Sequence, residues 1–262
     1  MISKNSIKHL KSLQFAKFRQ IYQQFIVEGD KSVLELVKGP FEIIEIYALE
    51  EWATENSSHI LEFPVQVVNE KQLEQISGFS SPNRVIALVK MQDFEYDETS
   101  IYNELILLLD NISDPGNLGT IMRTADWFGV KNVFCSENSV EFYNPKVLQA
   151  SMGSFTRVKV FHLNLADLIR SAPPQTVVYG TFIDSPSIYN TQLSPNGMVI
   201  IGNEANGISA ELKSLVNRPI SIPRHIETAT SNSLSTNPES LNASIATAIV
   251  ISELRRVKAL NS

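Results

Sequence analysis

From Leu105 onward the chain alternates apolar runs with helical stretches, and few folds satisfy that rhythm. The strand candidates are LILLLD (105–110), KNVFCS (131–136), VKVFHL (158–163), VVYGTFI (177–183), MVIIG (198–202) and the short PISIP (219–223). Helices are expected over Leu118–Phe128, closed by Gly129, over Pro145–Met152, over Ala210–Val216 with Ser209 as cap, and from about Glu239 to Lys258. Parallel strands need such crossovers, and near-continuous apolar runs mark strands buried on both faces. The expected class is therefore α/β, with a largely parallel sheet covered on both sides.

In sheets of this kind ligands bind at the carboxyl ends of the strands. Three loops there share a composition of small residues with Asn, Ser or Glu. They are SDPGNLGTIMR after the first strand, GNEANG (202–207), and the stretch after PISIP that runs to PESLNAS. There is no GxxxxGK[ST] and no GxGxxG after a strand, so neither a P-loop nor a dinucleotide fingerprint is present. No nucleophile elbow offers a Ser/His/Asp set. Taken singly, each polar residue has an ordinary role. Asn117 can be an N-cap, Arg123 an exposed helical cation in a salt bridge, Glu204 a turn residue or a carboxylate holding an arginine, and Ser240 and Asn242 capping residues. Five such groups on strand-end loops, or on the helix start beside one, are harder to assign to coincidence.

The first part of the chain reads as a small α/β domain. It has a polar helix over Lys4–Gln23, a strand FIVEG, a helix over Lys31–Lys38 stopped by Gly39-Pro40, strands in FEIIEIYA, PVQVV and VIALVKM, and a helix over Asn69–Ser77. The acidic stretch 92–104 reads as a linker. The expected division is 1–91, 92–104 and 105–262. Net charge is −6 over 262 residues, but Met1–Pro40 is basic, through Lys4, Lys8, Lys11, Lys17, Arg19, Lys31 and Lys38. A solvated helix face is the ordinary reading of such a run. Cys135 is alone and the four histidines lack ligand spacing, so no disulfide, and no metal, is expected. With no apolar membrane span and no signal-peptide core at the start, the expected location is cytoplasmic.

The order NxxDPxNxGTxxRTA, GNExxGI, then IP followed by ESLNxSxAxA resembles the three motifs of the SpoU/TrmH family of RNA 2'-O-ribose methyltransferases, within the SPOUT class. Residues 1–91, with FIVEGDKSVLEL, are similar to the family's accessory substrate-binding domain of ribosomal protein L30e fold. The resemblance implies a SPOUT-type parallel sheet closed by a deep trefoil knot, with S-adenosylmethionine bound in the knot. Carried over by motif, Thr181, Gly202, Ile222 and Leu241 would line the cofactor pocket, and Arg123, Asn117, Glu204, Ser240 and Asn242 would be catalytic. A homodimer is implied, with active sites at the subunit interface, acting on RNA, ribosomal ahead of transfer RNA, with no membrane or DNA partner.

The implied reaction is attack of a ribose 2'-hydroxyl on the sulfonium methyl group. It needs in-line positioning and help for the developing alkoxide. Arginine is not readily deprotonated in proteins. Arg123 is therefore expected to pair with the RNA phosphate and stabilise the oxyanion, with Asn117 orienting Arg123 or the ribose and Glu204 fixing that arrangement. Ser240 and Asn242 would complete the hydrogen bonds at ribose and cofactor. One departure stands out: where many relatives are short between the IP pair and SLN, this chain inserts RHIETATSNSLSTNPE (224–239), read as a flexible loop. Two alternatives stay open, a non-catalytic RNA-binding relative and a different α/β transferase or nucleotide-binding protein. Intact motifs count against the first and the missing glycine fingerprints against the second.

Overall fold

The computed structural model describes residues 2–79, 83–224 and 240–260. The chain forms two compact units, one of Met1–Phe94 with Glu141–Arg157, the other of Glu95–Val140 with Val158–Ser262.

The first unit is built on four strands, β1 (Gln24–Glu28), β2 (Ile43–Ala48), β3 (Val65–Val67) and β4 (Val85–Lys90), in the order β1-β4-β2-β3. Strand β4 is antiparallel to β1 and β2, and β3 joins parallel to β2. The helix Glu70–Ile76 begins at Asn69 with a capping box, the Asn69 and Gln72 side chains each bonding the other's backbone N–H. Two short helices, Glu50–Glu55 and Ser57–Ile60, had no periodic signature. The expected helix over Lys4–Gln23 is two, Lys4–Ser12 and Ala16–Tyr22. No Gly or Pro marks the break. Leu13 instead turns fully into the core, and its carbonyl accepts a hydrogen bond of 2.7 Å from Arg19 Nη1.

Arg19 also corrects the reading of the basic segment. It is only 2% exposed, and its Nε donates to Glu141 Oε1 at 2.8 Å. The lysines at 4, 8, 11, 17, 31 and 38 are exposed, as a solvated face requires. Glu141–Arg157 completes this unit's aromatic core. Tyr143 packs on Phe25 at 4.6 Å between ring centroids, Phe155 on Phe41 at 5.8 Å and Phe142 on Phe94 at 5.7 Å.

The second unit is a six-stranded sheet of β5 (Leu105–Leu109), β6 (Asn132–Cys135), β7 (Lys159–His162), β8 (Val178–Thr181), β9 (Gly197–Ile201) and β10 (Arg218–Ile220). The order is β10-β8-β9-β5-β6-β7 and every pairing is parallel. Strands β5 and β9 are buried along their whole length at the centre. Each large apolar side chain buried there contributes roughly 1.5–3 kcal/mol. Helices Pro115–Trp127, Leu165–Arg170, Ala210–Leu215 and Ala243–Leu260 accompany the sheet. Tyr96, in the acidic stretch read as a linker, packs edge-on against Phe134 and Phe161. Cys135 is fully buried, and burial pushes its thiol well above the usual range. No described helix is long and apolar enough to cross a membrane. The 224–239 insertion, apart from Arg224, lies outside the described residues.

Candidate functional site

The carboxyl ends of β5 and β9 and the start of the final helix meet in one place. Strand β5 runs into Asn111, which adopts a left-handed φ of 56°, a conformation asparagine tolerates better than most residues. Helix Pro115–Trp127 then begins. Its N-cap is Asp114, whose Oδ1 accepts the Asn117 backbone N–H at 2.8 Å, with Pro115 in the first turn. Asn117 is therefore not the cap. Asp114 has taken that role and the Asn117 side chain is free for another.

That side chain links the three loops. Asn117 Nδ2 donates to Glu204 Oε1 in the GNEANG loop, and Asn117 Oδ1 accepts from Asn242 Nδ2 at 2.8 Å. Asn242 Oδ1 in turn accepts the backbone N–H of Ser244 at 2.9 Å and the Ser244 hydroxyl at 2.6 Å, holding the start of helix Ala243–Leu260. Ser240 Oγ donates to the Glu204 carbonyl at 3.3 Å. Four of the five expected catalytic residues thus form one hydrogen-bonded group. The Glu204 carboxylate holds an asparagine, not an arginine.

Arg123 stands outside that group. It is exposed and has no partner among the described residues. Six residues past Asn117, it lies about 9 Å further along the helix and about 120° round it. The salt bridge that would make it an ordinary surface arginine is absent among the described residues.

The expected cofactor residues fall on neighbouring strand ends. Thr181 closes β8, Gly202 follows β9 and Ile222 follows β10, strands adjacent in the sheet. Thr181 Oγ1 donates to the Ile200 carbonyl at 3.3 Å. Gly202 cannot be replaced quietly, since a Cβ there would lie 2.3 Å from the Gly207 carbonyl carbon. Leu241 is 46% exposed beside Asn242.

Sequence reasoning missed a second set of residues. Asp110, 2% exposed, ends the apolar run of β5. Its Oδ2 accepts the Ser209 N–H at 2.7 Å and its Oδ1 the Asn111 amide at 2.8 Å. Ser209 precedes helix Ala210–Leu215, but its hydroxyl makes no cap bond; the backbone N–H is held instead. Asn203 Nδ2 donates to the Asn111 carbonyl at 3.0 Å. The GNEANG loop is thereby tied to the end of β5 by half-buried polar contacts that converge on buried Asp110. The available signal was a carboxylate closing an otherwise apolar strand, since a buried charge demands partners.

Residues 104–252 match the family model of the SpoU rRNA methylase family, and residues 4–87 match an MRM3-like substrate-binding domain. The 23S rRNA (guanosine(2553)-2'-O)-methyltransferase RlmP of Bacillus subtilis is 28% identical over 253 residues, covering 95% of each chain. A solved structure of a TrmH-family protein from Porphyromonas gingivalis is 33% identical, with a TM-score of 0.80 over 98% of this chain and 99% of that one. The methyltransferase AviRb from Streptomyces viridochromogenes, solved in complex with AdoMet, is 21% identical and shares the fold, with a TM-score of 0.82 over 98% of this chain and 99% of that one.

Proposed function

The chain belongs to the SpoU rRNA methylase family, and from that premise we propose that it transfers a methyl group from S-adenosylmethionine to a ribose 2'-hydroxyl of RNA, ribosomal ahead of transfer RNA. The observation that carries the reading is the Glu204–Asn117–Asn242 relay, which joins one residue from each of the three motifs by side-chain hydrogen bonds.

The residues present fit the cofactor. Thr181, Gly202 and Ile222 lie on adjacent strand ends, so backbone groups and small side chains span about 10 Å at strand spacing. The missing side chain at Gly202 keeps its backbone open, and exposed Leu241 offers an apolar surface suited to an adenine ring. None of the four carries a positive charge that would repel a sulfonium. When bound, the cofactor supplies an electrophilic methyl group. The protein's own work is then positioning and charge stabilisation. Asn117, held from both sides, presents a fixed amide, and Asn242 and Ser240 secure the loops around it. Arg123, unengaged among the described residues, pairs with RNA phosphate and stabilises the developing alkoxide; the proton leaves to a phosphate oxygen or to water.

The proposal includes a homodimer and a cytoplasmic location. Exposed Trp127 (84%) and Ile245 (52%) give helices Pro115–Trp127 and Ala243–Leu260 apolar surface, and exposed Tyr189 (55%) adds to it from the turn Ile188–Asn190. A groove of about 460 Å³ there is lined by Phe128, Tyr189, Ala248 and Ile249, with Ser252 and Glu253 at its polar side. Burying such a surface in a second copy supports the dimer. Arg123 shares the helix that ends in Trp127, so it would lie near that interface.

The test is transfer of tritium from methyl-labelled S-adenosylmethionine to unmodified ribosomal and transfer RNA transcripts, followed by digestion to nucleosides. Label in a 2'-O-methyl nucleoside is the expected result. Label on a base would overturn the ribose assignment. Cofactor binding with no transfer to any RNA would favour a non-catalytic relative.

A further inference from the structure

A second cavity, of about 450 Å³, opens on the other flank of the GNEANG loop. The expected cofactor residues lie towards β8 and β10. This cavity lies towards β5 and β6, where the loops after β5, β6 and β9 converge. Its size falls within the roughly 300–1,000 Å³ typical of small-ligand sites.

The lining divides in two. Asn111 and Asn203 form a fixed wall: the Asn111 amide is bound to Asp110, and Asn203 bridges the Asn111 carbonyl to the backbone of Ala205 and Asn206. Asp110, itself buried, anchors the Asn111 side and the Ser209 backbone. Ser113, Asn138, Asn206 and Ser209 also line the cavity, and none of their side chains has a hydrogen-bond partner among the described residues. Two amides and two hydroxyls are therefore uncommitted around a rigid polar wall.

The chemistry of that lining selects its ligand. Among the described residues the lining is neutral and amide-rich, which suits hydrogen bonding to an uncharged polar group. Side-chain amides pair a donor with an acceptor, which is the pattern on the edge of a nucleobase. Single-stranded RNA is read through such edges once a base is splayed from its stack. Position agrees. Ser113 directly precedes the Asp114 cap that orients Asn117, and Asn203 directly precedes Glu204. The cavity thus shares both of its main loops with the polar relay.

We propose that this cavity receives the base of the methylated nucleotide, with Asn138 and Asn206 as the residues that determine base specificity. The proposal rests on the methyl-transfer reading above.

The experiment uses ribosomal RNA transcripts carrying each of the four nucleotides at the position mapped by label transfer. Single-turnover rates are measured for the wild type, Asn138→Ala and Asn206→Ala, together with S-adenosylmethionine affinity. The wild type is expected to discriminate at least tenfold against one or more non-native bases. Each variant should lose roughly tenfold in rate on the native base, the scale of one hydrogen bond, and should narrow the preference while binding cofactor normally. Both side chains are exposed, so neither change should disturb folding. Wild-type rates and preferences in both variants would overturn the proposal, as would a uniform loss on all four bases or a wild type that ignores base identity. A wild type inert on every RNA would instead overturn the methyl-transfer reading, and this proposal with it.

Discussion

Asn242 and Asn117, 125 residues apart in sequence, are joined by a single amide-to-amide hydrogen bond of 2.8 Å. The same Asn242 side chain holds the first turn of helix Ala243–Leu260 through its oxygen. One residue therefore does two separable jobs, capping through Oδ1 and relaying through Nδ2. Asn242→Asp keeps the acceptor and removes the donor. It should leave thermal stability nearly unchanged while lowering methyl transfer by an order of magnitude or more. Asn242→Ala should lose transfer and also about 1 kcal/mol of stability, the usual worth of a cap. Calorimetry beside tritium transfer separates the two; equal melting losses in both variants would contradict the division.

Replacing Arg123 by Ala should abolish transfer and leave both S-adenosylmethionine affinity and melting temperature intact. The residue is exposed and bonds to no described side chain, so its removal leaves nothing unsatisfied. Titration calorimetry with the cofactor, beside the label assay, checks this. A parallel fall in affinity would refute the assigned role.

Two glycines in one loop should respond differently to alanine. At Gly202 the new Cβ would press on backbone 2.3 Å away, so the loop itself must move. At Gly207 the space is open and only a positive φ of 67° opposes the change, worth about 1–2 kcal/mol. Gly202→Ala should therefore cost cofactor binding heavily, while Gly207→Ala mainly lowers stability. Equilibrium binding of labelled cofactor distinguishes them.

Arg19→Leu should destabilise the protein by about 2 kcal/mol, because it leaves the Leu13 carbonyl and Glu141 without their buried partner. It should not alter the salt dependence of RNA binding, since Arg19 does not meet solvent. Lys4, Lys8 and Lys11 are exposed and free to meet RNA phosphate, so removing their charge together should flatten that dependence. Denaturant melts and salt titrations read the two effects independently.

Glu28 supplies a pH test. Burial raises its carboxyl above the ordinary value of 4.5, outweighing the hydrogen bonds from the Gly78 N–H, Ser77 hydroxyl and Gln14 amide. The folded state therefore holds this proton more tightly than the unfolded state. The resulting stabilisation is complete below pH 4.5 and is lost as pH rises through the folded value. Glu28→Gln removes the titration, so the melting temperature of the variant relative to wild type should climb as pH rises above 4.5. A flat difference would contradict the shift.

The parallel sheet was legible because LILLL and MVII are apolar enough to be buried on both faces, and helices must separate such strands. The motif residues were legible as a set, yet their contacts were not. Nothing in the spacing says that Asp114 would take the cap and release Asn117, or that Glu204 would meet an amide and not a guanidinium. Those outcomes depend on side-chain geometry between loops far apart in sequence. Arg19 was misread for the same reason, since its partner Glu141 lies beyond the whole of the first sheet. Asp110 and Asn203 escaped notice because one looked like the end of a strand and the other like a turn.

The first unit borrows Glu141–Arg157 from a stretch of chain bracketed by β6 and β7. It follows that Phe25, Phe41 and Arg19 emerge from the ribosome before the residues that cover them exist. At roughly 5–20 residues per second the wait until Arg157 is made lasts on the order of ten seconds. During it the nascent chain carries a half-finished aromatic core, so the unit that comes first in sequence is not the first that can be finished. A donor domain grafted at residue 91 would inherit that gap permanently.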